Sequence, residues 1–99
     1  MPRIKWSDRA RADLREIKKR IAKDTLAGAV AYIKRLKRSA DRLERFLLSG
    51  WMVEELNDPD IHEIVFDRYR IVYTYDRVVL ILRVWPAGRP LIRRGLEHD

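Results

Sequence analysis

Residues 68–84 read RYRIVYTYDRVVLILRV, a run dominated by β-branched and aromatic side chains. Such side chains fit a pleated, half-buried surface, and the polar pair Asp76–Arg77 interrupts them midway, so the segment is expected to be a β-hairpin. A two-residue loop at Asp76 and Arg77 pairs Tyr75 with Val78, Tyr73 with Leu80, Ile71 with Leu82 and Arg70 with Arg83. One face then carries Ile71, Tyr73, Leu80, Leu82 and Val84 as candidate core. The other carries Arg70, Val72, Thr74, Val79, Ile81, Arg83 and Trp85. Like charges directly opposite each other on neighbouring strands repel by roughly a few tenths of a kcal/mol, so Arg70 and Arg83 call for an anion. Glu63 is an internal source, because a two-residue loop at Asp67 and Arg68 puts it diagonally beside Arg70 on the same face. A phosphate backbone or a partner's carboxylates would be an external one, bound bidentately by guanidinium groups. A one-residue slip of either strand would separate the two arginines.

The rest of the chain is organised around this hairpin. RIKW at residues 3–6 reads as a first strand, and Ser7 can cap a helix over residues 8–23 whose Ala10, Leu14, Ile17 and Ile21 share one face. Asp24 is the expected cap of a second helix, with Ala29, Ile33, Leu36, Ala40, Leu43 and Leu47 as its apolar stripe. Ser49–Gly50–Trp51 breaks that helix, and Gly50 is expected to take a positive φ. WMVEEL reads as a short strand, NDPD as a turn, and IHEIVF, YRIVYTY and RVVLILRVW as a three-stranded meander ended by PAGRP. The order is β-α-α-β-β-β-β. The expected class is α+β, a single domain over residues 1–99 with a helical hairpin packed on one face of an antiparallel sheet.

The formal net charge of +7 is unevenly placed. Residues 1–45 hold fifteen Lys or Arg against six Asp or Glu, and residues 46–99 hold seven against nine. The basic half is either a solvated helical surface or the seat of a polyanion, nucleic acid or an acidic protein segment. No cysteine is present, which removes disulfides, thiolate metal sites and cysteine nucleophiles. No apolar run approaches the roughly 18 residues of a spanning helix, so no membrane partner is expected and the cytoplasm is the expected location.

Several chemistries find little support in the residues. His62 and His98, far apart and without cysteine, do not make a zinc site. Ser7, Ser39 and Ser49 read as cap or helix-end residues, with no His or Lys paired to them. The acidic group Glu54, Glu55, Asp58, Asp60, Glu63 and Asp67 matches no cation loop and reads as a solvated edge. No glycine-rich phosphate loop occurs, and no cofactor is expected. Of the three tryptophans, Trp6 reads as core, and Trp85 on the open sheet face could stack on a base or receive a partner's side chain.

IHEIVFDRYRIVYTYDRVVLILRVWPAGR resembles the C-terminal half of toxins of the RelE/ParE superfamily, whose Arg-Glu-Ile, Tyr-Arg-Ile-x-Tyr and Val-x-His-x-x-Arg elements correspond to HEI, YRIVY and VWPAGR. The first strand, SDRARADLREIKKRIAKD and the helix ending before SGWMVEEL fit the N-terminal half. The resemblance implies a type II toxin silenced by a cognate antitoxin that wraps around it, with either DNA gyrase or ribosome-bound mRNA as target. A homodimer or a hetero-oligomer with the antitoxin both stay open.

For RNA cleavage, Arg70, Arg83 and Arg89 would stabilise charge, and Glu63, Glu54 or His62 would move the proton. The register places His62 on the helix-covered face near Tyr73, where a structural role competes with a catalytic one. The chain departs from the nuclease pattern: Pro86 stands at the closing His, His62 at the Arg of the Arg-Glu-Ile element, and Trp51 after Gly50 where relatives show Arg. The sheet half also has no lysine. The gyrase-directed branch is therefore preferred, with RNA cleavage as the alternative and a decayed toxin that only binds as a third reading. In the gyrase or binding readings, Arg70, Arg83, Trp85 and Arg89 are the expected contacts to partner or nucleic acid.

Overall fold

The computed structural model describes residues 3–46 and 50–96. Along the chain run β1 (Arg3–Trp6), α1 (Asp8–Ala22), α2 (Leu26–Asp41), β2 (Trp51–Met52), β3 (His62–Phe66), β4 (Tyr69–Asp76) and β5 (Val78–Pro86). A 3₁₀ turn at Arg42–Glu44 extends α2, and another at Arg93–Leu96 follows β5. Class and element order are those the periodicities anticipate. The strands lie in the order β1-β5-β4-β3-β2. β2 to β5 are antiparallel, whereas β1 lies parallel to β5, with Ile4 opposite Val79 and Trp6 opposite Ile81. The sheet is thus mixed rather than wholly antiparallel. A parallel neighbour needs a long crossover, and here that connection is everything from α1 to β4.

The helix starts follow local chemistry. The Ser7 hydroxyl accepts the Ala10 N–H at 3.0 Å, while Asp8 in the first turn and Lys19 and Arg20 in the last suit the helix dipole. Thr25, not Asp24, caps α2: its Oγ1 accepts the Gly28 N–H at 3.3 Å. The Asp24 and Thr25 N–H groups both bond to the Ile21 carbonyl, at 3.0 and 3.2 Å, and close the end of α1.

Two cores sandwich the sheet. Ala10, Leu14, Ile17, Leu36, Ala40 and Leu43 meet Ile64, Ile71, Tyr73, Val79, Ile81 and Val84 between helices and sheet, with Trp6 at the margin. Leu47, also expected there, lies outside the described residues, as do Ser49 and His98. The opposite face is not open. Val53 and Ile61 from the β2–β3 loop and Leu91 and Leu96 from the segment after β5 bury Val72, Leu82 and Trp85 beneath them.

The β4–β5 register corrects the expected arginine pair. The turn uses one residue, Arg77 at φ 68°, so Asp76 lies opposite Val78, Tyr75 opposite Val79 and Tyr73 opposite Ile81. The shift sends Val79 and Ile81 under the helices and Leu80 and Leu82 to the other face, the reverse of the expectation. A bulge between Val72 and Tyr73 on the β4 side of the register then makes Leu82 the extra residue, restoring Arg83, Val84 and Trp85 to their expected faces. Arg70 therefore lies opposite Trp85, and Arg83 opposite Val72. The Asp67–Arg68 loop is as expected, with Phe66 opposite Tyr69.

Gly50 has no positive φ. A Cβ there would lie 2.5 Å from the Glu63 carbonyl oxygen and 2.7 Å from the Tyr73 hydroxyl, so close backbone approach requires the glycine. WMVEEL yields only the two-residue β2, because Val53 turns inward and its N–H bonds to the Ile61 carbonyl.

Candidate functional site

Arg70 projects from β4 onto the face away from the helices, where it is only 8% exposed. Its Nε and Nη2 donate to the two oxygens of Glu63 at 2.6 and 2.8 Å, the diagonal contact the register anticipates. Nη1 and Nη2 donate to both oxygens of Glu55 at 2.7 Å each. Two bidentate carboxylates thus grip one guanidinium, the geometry of the strongest charge-assisted bonds. The hydrogen bonds Arg70 donates to Glu63, and next those to Glu55, raise its pKa above the ordinary value. The Glu55 carboxyl is held down to about 2, chiefly by Arg70 and next by the Leu91 N–H, which donates to it at 2.9 Å.

Arg83 is neutralised from another element. Its Nε and Nη2 donate to the Asp13 carboxylate of α1 at 2.8 and 2.9 Å, and Nη1 donates to the Gly95 carbonyl. Asp13 also accepts the Val84 N–H at 2.9 Å. That backbone bond explains its position. β1 stops opposite Ile81, leaving the rest of β5 as an uncovered edge, and unpaired edge groups invite foreign strands. The Ser7 hydroxyl donates to the Leu82 carbonyl, Asp13 takes the Val84 N–H, and Pro86, two residues on, has no N–H to offer.

Trp85 is buried between these parts rather than displayed on an open face. Its Nε1 donates to the Arg89 carbonyl at 3.0 Å, and the Arg83 and Arg89 guanidinium carbons lie 4.9 and 5.8 Å from its ring centroid. Gly95 packs against the ring so closely that a Cβ would come within 2.9 Å. Arg89 itself is exposed and has no carboxylate partner among the described residues.

The proton-transfer candidates do not gather here. His62 lies opposite Tyr73 on the helix side of the sheet, its ring 5.8 Å from that of Tyr73 and 6.2 Å from that of Tyr75. Its Nδ1 is buried without a hydrogen-bond partner among the described residues. Glu54 is exposed on the β2–β3 loop. The carboxylates that reach the arginines beside Glu63 are Glu55 and Asp13. Asp13 carries a signal in the sequence, since it interrupts the buried face of α1 between Ala10 and Leu14. Glu55 carries none that separates it from Glu54, because loop conformation decides which one reaches Arg70.

The helical half is the opposite case. A groove of about 230 Å³ runs between the helices, with Leu14 and Ile33 as floor and Arg11, Arg15, Lys18 and Lys37 as rim. Exposed Leu26 and Val30 continue the Ile33 stripe along α2 at helical spacing. Among the described residues, Arg11 with Asp8 is the one helix cation holding a carboxylate by an exposed pair, at 2.6 Å. No helix is long and apolar enough to cross a membrane.

The family model described as ParE toxin of type II toxin–antitoxin system, parDE, matches residues 4–91. A solved structure described as a chromosomal ParDE TA system from P. aeruginosa superposes with a TM-score of 0.77 at 16% identity, covering 89% of this chain and 98% of that one. At that identity the likeness speaks for the fold alone. No curated protein matches the chain significantly.

Proposed function

Because the chain belongs to the ParE toxin family of type II toxin–antitoxin systems, we propose that it poisons DNA gyrase and is silenced by an antitoxin segment seated on its helical hairpin. The family match across residues 4–91 carries this reading. The state of the arginines supports it over RNA cleavage. Arg70 and Arg83 each spend their bidentate geometry on carboxylates of the fold, and His62 faces the opposite side of the sheet. A nuclease using them would first have to break buried ion pairs, which costs about 3–5 kcal/mol when one partner is left behind.

The antitoxin seat follows from complementarity. An amphipathic helix laid in the Leu14–Ile33 groove would bury apolar anchors against Leu26, Val30 and Ile33 and set acidic flanks against Arg15, Lys18 and Lys37. A segment disordered until bound would meet its charge requirement there.

The test is regulated expression of the chain alone, with DNA and protein synthesis followed by pulse labelling, alongside purified gyrase acting on supercoiled plasmid. Early loss of DNA synthesis and gyrase-dependent linear plasmid are expected. Loss of protein synthesis first, with cut mRNA, would replace this reading by RNA cleavage, and normal growth would leave a protein that only binds.

A further inference from the structure

Where β1 ends and α1 takes over beside β5, a cleft of about 140 Å³ opens at the seam. Glu16 and Arg20 line it from α1, Tyr69 from β4, and Trp85, Pro86 and Arg89 from the end of β5 and the loop beyond. Arg83 at its base is neutralised by Asp13, so the cleft's free charge comes from the other side chains. Arg20 and Arg89 are both exposed, come from separate elements, and hold no carboxylate among the described residues. The Tyr69 hydroxyl donates to no partner among the described residues and adds a neutral donor. Glu16, exposed on the same lining and in no ion pair among the described residues, offsets one of the two free cations. The balance is one positive charge, which suits the single charge of a phosphodiester better than a dianionic terminal phosphate or a polyphosphate. The volume admits a phosphate group.

The cations do not stop at the cleft. A second depression on α1 shares Glu16 and Arg20 and adds Lys19 and Lys23. A free phosphate would have no use for that continuation, whereas a strand with a charge on every nucleotide would. We infer that the α1–β5 cleft seats one backbone phosphodiester of a nucleic-acid strand, held by Arg20 and Arg89, with the strand continuing along α1 past Lys19 and Lys23. Contacts of this kind position the strand and read no sequence. The site does not depend on gyrase being the target.

The experiment measures binding of the purified full chain to a short fluorescent DNA oligonucleotide by anisotropy across a salt series. R20A/R89A is compared with R38A/R42A, which removes the same charge from exposed positions in the last turn of α2 and the 3₁₀ turn that extends it, outside the cleft. The cleft pair is expected to weaken binding about tenfold or more and to flatten the salt dependence, against less than about threefold for the α2 pair. Equal losses would overturn the site in favour of a general field. The Trp85 indole N–H resonance, whose group lies beside Arg89, is expected to shift on adding the oligonucleotide. A shift with inorganic phosphate but none with oligonucleotide would overturn the strand. Gyrase is absent from both measurements, so their failure and that of the gyrase reading are separate results.

Discussion

Arg70 and Arg83 in the sheet and the cations of the helical hairpin are chemically alike and physically opposite. Each sheet arginine is held bidentately, by Glu55 and Glu63 or by Asp13, and ties distant parts of the chain together: β3, β4 and the β2–β3 loop in one case, α1 and β5 in the other. The helix cations Arg15, Lys18, Lys37, Arg20 and Lys23 stand in solvent without such partners among the described residues. Burial explains the contrast, because a desolvated guanidinium must be paired whereas a solvated one need not be. The lesson for function is that the arginines most conspicuous in the sequence are consumed by the fold. The unremarkable ones on the helices remain available for a partner.

That contrast can be broken by substitution, starting with the largest effect. Arg70→Met leaves Glu63 buried without its cation and is expected to cost about 3–5 kcal/mol in urea unfolding. A loss under about 1 kcal/mol would mean that the carboxylate pair does not hold the sheet face. Asp13→Ala orphans the Val84 N–H and half-frees Arg83, for an expected loss of about 2–3 kcal/mol. Additivity with Arg83→Met in a double-mutant cycle would show that the two do not act as a pair.

Glu55 sharpens the comparison through pH. Its folded pKa of about 2 lies below the ordinary carboxylate value, so the unfolded chain takes up the proton first as pH falls. The Glu55 contribution is therefore complete above about pH 4.5 and lost on going down through about pH 2. Wild type should exceed Glu55→Gln by about 1 kcal/mol at pH 7, and thermal melts should show that gap closing across the acidic window. A gap independent of pH would assign the effect to packing. At the small end, Ala at Arg15, Lys18 and Lys37 together should change stability by no more than about 0.5 kcal/mol. The same triple variant should lose antitoxin affinity in titration calorimetry, and unchanged affinity would move the antitoxin off the groove.

Much of the architecture is legible before any coordinates. The helix stripes, the Ser7 cap, the Asp67–Arg68 turn, the Glu63–Arg70 diagonal and the place of His62 beside Tyr73 all follow from period, capping chemistry and strand register. The misses concern choices that residue type leaves open. Asp24 and Thr25 both suit a helix cap, so residue type leaves the start of α2 open by one position, and the Thr25 hydroxyl is the one that takes the Gly28 N–H. The tight Arg77 turn and the Leu82 bulge leave no mark in an alternating apolar run, since Leu80, Ile81 and Leu82 are apolar whichever way they point.

The α+β order, and which stretches are helix or strand, can be read from the chain's pattern alone, because those depend on neighbours three, four or two residues away. The same pattern also determined that two arginines would share the face away from the helices. What those arginines do is set by the folded arrangement. Whether a guanidinium meets a phosphate or a carboxylate depends on which side chains arrive from residues far along the chain: Asp13 from α1, Glu55 from a loop, the Gly95 carbonyl from the segment after β5. Pairing is a property of positions in space, and a residue's type fixes only what it would accept there.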